Sequence, residues 1–142
     1  MPDPLRFHYP VDGTNFTSAG EASVQVKKKL RQLGFSPEII RRVSVAMYEG
    51  EINMVIHARG GDADVLVYPD RIEIILSDSG PGIEDVELAM QEGYSTAPDN
   101  IRTLGFGAGM GLPNMKRNTD IMTIDSTVGV GTTIRMTIFV KQ

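Results

Sequence analysis

The sequence predicts an α/β fold, and three patterns carry the prediction. Two stretches with helical apolar periodicity precede residue 58, and two β-like runs follow on either side of Pro69-Asp70. The chain then closes on a strand along which Ile134, Met136, Ile138 and Val140 alternate, giving it one buried face. A length of 142 residues with 41% hydrophobic content suits one domain, taken as residues 1–142, that closes its own core.

Residues 5–11, LRFHYPV, read as a short leading strand ahead of a turn-rich stretch, VDGTNFTSAG. Ser18-Ala19-Gly20-Glu21 matches a capping box, in which hydroxyl and carboxylate satisfy amides at a helix start. Val24, Val26, Leu30 and Leu33 carry that helix to about Leu33, and its Lys27 to Lys29 run reads as a solvated face. Gly34-Phe35 closes it. Ser36 as N-cap and Pro37 at the first helical position, where a missing N–H costs little, open a second helix to about Ala58. Steps of about 100° per residue gather Ile39, Ile40, Val43, Ala46, Met47, Gly50 and Met54 on one apolar arc. Arg42, Glu49 and Asn53 form a polar stripe beside the arc, flanked on its other side by Val45, Ile52 and Ile56. A polar pair in such an apolar frame has a specific job.

Ala63 to Tyr68 and Arg71 to Ser77 read as an antiparallel hairpin. Asp78-Ser79-Gly80-Pro81-Gly82 follows, then a short helical piece around Asp85 to Glu92. The glycine-rich stretch from Gly93 to Gly111 has the length of a lid, a binding loop or a disordered segment. Leu112 to Asn118 reads as a short helix, and Ile121 to Ser126 and Thr132 to Val140 as two closing strands around TVGVG.

Composition excludes several classes of function. A formal charge of −4 and a pI near 5.1 argue against a general nucleic-acid backbone binder. Bound phosphate stays open, because backbone amides and Mg²⁺ supply a local positive field. With no Cys there is no disulfide framework, thiolate zinc site or cysteine nucleophile, and two His make a His-rich metal site a poor fit. The start, MPDPLRFHYPVDG, lacks the basic and apolar regions of a signal peptide, and no run approaches a membrane span. The expectation is a soluble, cytoplasmic protein.

Four features carry the chemistry. Glu49 and Asn53, four apart, share a helix face on which a carboxylate can orient a nucleophile and an amide oxygen can ligate Mg²⁺; a surface hydrogen bond is the ordinary alternative. Asp78, just past a strand that reads Ile72, Ile74, Leu76, can accept a hydrogen bond from an exocyclic amine. Gly80 and Gly82 let the chain turn sharply and approach a flat ligand, although an ordinary Asp/Gly turn has the same composition. Gly105, Gly107, Gly109 and Gly111, at every second position before a helix, leave few side chains between backbone amides and a phosphate chain. Gly129-x-Gly131-Thr132 precedes the last strand.

The order and spacing of these features from about residue 45 to the C-terminus resemble the N, D and G boxes of the GHKL ATPases. Within that family, GFGAGMGLPNMKR followed by STVGVGTTIRMTI is most similar to the small bacterial switch kinases and anti-sigma-factor kinases. The resemblance implies the GHKL (Bergerat) fold, a two-layer α/β sandwich with a mixed, mostly antiparallel sheet and ATP held between sheet, helix and lid. It implies Glu49 as general base toward a substrate hydroxyl, Asn53 as the Mg²⁺ ligand and Asp78 as the reader of the adenine amine. Gly80 and Gly82 would shape the adenine pocket, Gly105, Gly107, Gly109 and Gly111 would form the lid with Leu112 opening the next helix, and Thr132 would support the adenine end. A P-loop is ruled out by the missing Gly-Lys-Ser/Thr ending.

Some residues sit outside that scheme. Gly50, inside a helix, costs about 1 kcal/mol relative to Ala and so signals close packing or a local adjustment. Glu51 points roughly opposite to Glu49 and is taken as structural, and His57 as a satisfied core histidine. Arg102, in the Ser95 to Leu104 segment, is a candidate for the terminal phosphate, with a solvated loop arginine as the plainer reading.

The resemblance therefore implies an ATP- and Mg²⁺-dependent serine/threonine protein kinase acting on a small STAS-type antagonist protein in a bacterial partner-switching pathway. A sigma factor or a downstream phosphatase would be a further partner, with no nucleic acid or membrane involved, and the kinase would be a monomer or homodimer. The main rival is a nucleotide-gated anti-sigma factor with little or no kinase activity. A histidine-kinase ATP-binding half is disfavoured, because too little chain precedes the second helix for a phosphoacceptor hairpin. Larger GHKL machines would need transducer domains.

Overall fold

A computed structural model of the protein describes residues 3–13, 20–58, 60–83, 85–91 and 111–140. The elements run β1 (Leu5–Asp12), α1 (Glu21–Gln32), α2 (Pro37–Ala58), β2 (Gly60–Val67), β3 (Arg71–Asp78), α3 (Val86–Ala89), α4 (Gly111–Arg117), β4 (Ile121–Thr127) and β5 (Gly131–Phe139). The strands form one sheet in the order β1-β2-β3-β5-β4. The sheet expected to be mixed and mostly antiparallel is antiparallel at every pairing among the described residues.

Strand alternation decides which side is covered. Val65, Ile72, Ile74, Leu76, Ile134, Met136 and Ile138 point to one face and join Val26, Leu30, Val43, Met47 and Met115 from the helices in a single core. The opposite face carries His8, Asp62, Asp64, Glu73 and Arg135, with His8 within 2.8 Å of Asp64 and Arg71 within 2.9 Å of Glu73. Helices thus cover one side of the sheet, as a two-layer sandwich requires.

Helix α2 spans the predicted range, and Ser36 caps it by accepting from the Ile39 amide at 3.3 Å. All seven residues of the predicted apolar arc are buried. Gly50 is there for close packing: a Cβ at this position would collide with Leu76 and lie 3.5 Å from Met115 Sδ. The hairpin also follows expectation, with β2 extended back to Gly60 and the turn closed by Tyr68 N–H donating to Arg71 O at 2.9 Å. Asp85 caps the short α3 through the Leu88 amide at 3.0 Å.

The start of α1 departs from expectation. Its N-cap is Gly20 at φ 98° with no side-chain cap bond, so the Ser18–Glu21 capping box does not form around Glu21, which is the first helical residue; Ser18 lies outside the described residues. The cap is supplied by another helix: Glu51 Oε1 accepts from the Ser23 amide at 3.2 Å. Of the four apolar residues that carry the helix, Val24 and Leu33 are 49% and 45% exposed, because α1 buries only the narrow stripe of Ala22, Ser23, Val26 and Leu30. Lys27, Lys28 and Lys29 face solvent as read.

Candidate functional site

Among the described residues, Arg42 and Glu49 of α2 meet α4 and the residues that follow it, and the last turn of α2 meets the turn after β3. Glu49 is half-buried, and one of its oxygens, Oε2, faces the backbone of Gly111 at the start of α4, 3.7 Å from where a Cβ on that glycine would stand. Asn53, also half-buried, stands one turn further along the same face. At the far end, a Cβ on Gly80 would meet Ala58 Cβ at 2.6 Å, so the turn after Asp78 packs on the last turn of α2.

Asp78 ends β3, the middle strand of the sheet, opposite Thr132 of β5. Its Oδ1 accepts from the Gly80 amide at 2.9 Å and the Thr132 amide at 3.2 Å. Two fixed donors lock the carboxylate, and its Oδ2 has no hydrogen-bond partner among the described residues. The surroundings need glycine. A Cβ at Gly131, whose φ is 148°, would run into the Asp78 carbonyl oxygen, and one at Gly61 would lie 3.1 Å from Asp78 Cβ. At Gly82, with φ 81°, it would press on Thr127 O at 2.6 Å. The cradle around Asp78 therefore admits backbone approach where side chains would fill it.

Thr132 is buried and held by more than its strand. Ser126 Oγ sits 2.8 Å from Thr132 Oγ1 and accepts from the Ile83 amide at 2.8 Å, while Gly129 N–H donates to Pro81 O at 2.9 Å. Ser126 thus ties the Gly80–Gly82 turn to the β4–β5 hairpin, a role the sequence reading missed. Its signal was available: Met122, Ile124 and Ser126 share the inward phase of β4, and a hydroxyl there needs a partner.

Helix α4 buries Leu112, Pro113 and Met115 and is latched onto the first part of α2. Arg42 Nε donates to Asn118 O at 3.1 Å, and its Nη2 pairs with Asp120 Oδ1 at 3.2 Å. Arg42, read only as a member of the polar stripe, is therefore what holds the end of α4 in place. Asn114, which the sequence reading did not single out, donates from Nδ2 to Glu49 Oε1 at 3.4 Å.

Glu51 is structural, as expected, but at a cost. It is 2% exposed, and burial pushes its carboxyl up to about 7 from 4.5, against the pull of the Ala22, Ser23 and Gly20 amides. Its Oε2 has no partner among the described residues. Burial also lowers the half-buried His57, which favours the neutral ring expected of a core histidine.

Gly105, Gly107 and Gly109, together with Arg102 and the Ser95–Leu104 segment, lie outside the described residues. Among the described residues no three His, Asp or Glu side chains converge as a metal cluster, and no helix is long and apolar enough to cross a membrane.

Residues 15–138 match the family described as histidine kinase-like ATPase domain. The chain is 33% identical over 109 residues to the serine/threonine-protein kinase RsbT of Bacillus subtilis, covering 74% of this chain and 76% of that protein. It is 34% identical over 116 residues to an anti-sigma F factor of Caldanaerobacter subterraneus, covering 78% of each. In fold it is similar to the crystal structure of the RsbU and RsbW domains of a Mycobacterium tuberculosis protein, with a TM-score of 0.66 at 16% identity over 97% of this chain and 33% of that one. The mycobacterial sensor histidine kinase MprB gives a TM-score of 0.55 at 20% identity over 95% of this chain and 99% of that one.

Proposed function

The chain belongs to the family of histidine kinase-like ATPase domains, and from that premise we propose that it transfers the γ-phosphoryl group of ATP to a serine or threonine of a small STAS-type protein. The observation that carries the reading is the Asp78 carboxylate, locked by two backbone amides in a cradle of glycines. Glu49, gripped by Asn114 and beside Gly111, supplies the second carboxylate that the reading needs.

In this reading the adenine of ATP binds at Asp78 and its γ-phosphate at Glu49. Oδ2 of Asp78 accepts the exocyclic amine of adenine in the glycine cradle of Gly80, Gly82 and Gly131, while Thr132 and Ser126 hold the walls. Gly105, Gly107, Gly109 and Gly111 would supply backbone amides to the phosphates. Mg²⁺ is commonly held by one or two protein ligands plus phosphates and water; Asn53 would supply such a ligand, and the ion would neutralise charge developing on the phosphates. Glu49 accepts the proton of the partner's hydroxyl as its oxygen bonds to the γ-phosphorus and the bond to the β-phosphate oxygen breaks, releasing ADP. Positioning and charge neutralisation carry the rate.

The similarity to an anti-sigma F factor favours a second reading, in which nucleotide occupancy controls which partner is held, a sigma factor among them. One experiment separates the two. The purified chain is incubated with Mg²⁺, labelled ATP and candidate STAS-domain proteins, comparing wild type with Glu49→Ala. Label on a serine or threonine, lost in the variant while nucleotide binding survives, supports the kinase. Nucleotide binding without transfer to any partner leaves the gated binding module.

A further inference from the structure

Helix α4 brings a second polar residue to Glu49. Asn114 Nδ2 donates to Glu49 Oε1 at 3.4 Å, and Arg117 Nη1 donates to Asn114 Oδ1 at 3.0 Å. A guanidinium can only donate, so its contact decides which end of the Asn114 amide faces it: Oδ1 turns to Arg117 and Nδ2 is left toward the carboxylate. Asn114 and Arg117 are three apart on one helix face, which makes their contact local and independent of the rest of the fold.

The contact to Glu49 depends on where α4 sits, and α4 is held by a second polar rung. Asn118 Nδ2 donates to Asn114 O at 2.8 Å, Arg41 Nη1 to Asn118 Oδ1 at 3.3 Å and Arg42 Nε to Asn118 O at 3.1 Å. Arg42 and Glu49 lie two turns apart on α2, and Asn114 on α4 is followed four residues later by Asn118 just past the helix end, so the two segments meet at two levels. The upper level fixes the helix and the lower one grips a single oxygen of Glu49. The other oxygen, Oε2, is the one beside Gly111.

We propose that Asn114 is a positioning residue for Glu49, occupying Oε1 so that Oε2 is held toward Gly111, with Arg117 setting the orientation of the Asn114 amide. The role rests on the reading of Glu49 as the base in phosphoryl transfer. Without Asn114 the carboxylate keeps its chemistry but loses its aim, since a free Glu side chain samples several rotamers.

Two measurements on the full chain test it. In the first, the side-chain amide of Asn114 is followed by NMR. Its resonances should move when Glu49 is replaced in Glu49→Ala and again in Arg117→Met; resonances at solvent-exposed values that ignore both substitutions would overturn the contact. In the second, single-turnover label transfer from Mg²⁺-ATP to the STAS partner is compared across variants. Asn114→Ala should lower the transfer rate about ten- to a hundredfold, the worth of a hydrogen bond to a charged group, with nucleotide affinity and thermal unfolding little changed. Asn114→Gln, which keeps an amide donor, should recover part of the rate. An Asn114→Ala chain as fast as an active wild type overturns the positioning role and leaves the kinase intact. A wild type that transfers no label overturns the kinase reading, and this role with it.

Discussion

Replacing Glu51 by Gln should change how stability depends on pH, and by an amount that follows from its surroundings. The carboxyl is 2% exposed, receives the Ser23 amide on Oε1 and has no partner on Oε2 among the described residues. Burial is the largest influence and raises it from 4.5 to about 7, the nearby Glu21 charge adding to the rise and the α1 amides opposing it. A carboxyl raised in the folded state holds its proton more tightly there than in the unfolded chain. The folded protein is therefore favoured below about pH 4.5, loses stability steadily as pH rises through the window to about 7, and levels off above it. At about 1.4 kcal/mol per pH unit, the displacement amounts to about 3 kcal/mol, a large part of the stability of a small domain. Glutamine keeps an acceptor for Ser23, has nearly the shape of the protonated acid and does not titrate. Urea denaturation of both proteins between pH 5 and 8 isolates the effect, because every other titrating group is common to them. The two should be nearly equal only below about pH 4.5; Glu51→Gln should already lead somewhat at pH 5, and the lead should grow to about 3 kcal/mol at pH 8. Parallel stability curves, or a wild type that gains on the variant as pH rises, would refute the reasoning.

Two further substitutions probe the opposite end of the site. Asp78→Asn keeps an acceptor for the Gly80 and Thr132 amides but turns an NH₂ toward the proposed adenine amine, so nucleotide affinity by calorimetry should fall about ten- to a hundredfold while the fold is retained; unchanged affinity would remove Asp78 from the adenine site. Gly131→Ala combines a positive φ of 148° with a Cβ placed against the Asp78 carbonyl, an atom of the sheet that cannot rotate away. It should destabilise the chain by about 2 kcal/mol or more in thermal unfolding and weaken nucleotide binding with it.

Much of this architecture was legible in the sequence because its causes are short-range. The Ser36-Pro37 start, the apolar arc of α2 and the Pro69-Asp70 hairpin each depend on residues within a turn or two of one another, and each formed where it was read. Gly50 announced close packing because a glycine inside a helix has a known penalty, although only the fold identifies Leu76 and Met115 as its neighbours. The start of α1 misled for the same reason that the others succeeded. Ser18 and Glu21 have the spacing of a local cap, but the amides of α1 are met by Glu51, 28 residues beyond Ser23 in the chain.

The sequence by itself determined the helix and strand periods, the α/β class and which residues are candidates for a nucleotide site, since side-chain chemistry and repeat are written along the chain. Tertiary structure alone decided which oxygen of Glu49 is gripped by Asn114 and which lies beside Gly111, that Asp78 is locked by amides from Gly80 and Thr132, and that Glu51 is driven into the interior as a cap. Each of the latter depends on segments far apart in sequence meeting at hydrogen-bond distance. Periodicity cannot encode that, because the meeting is settled by how whole helix and sheet faces pack.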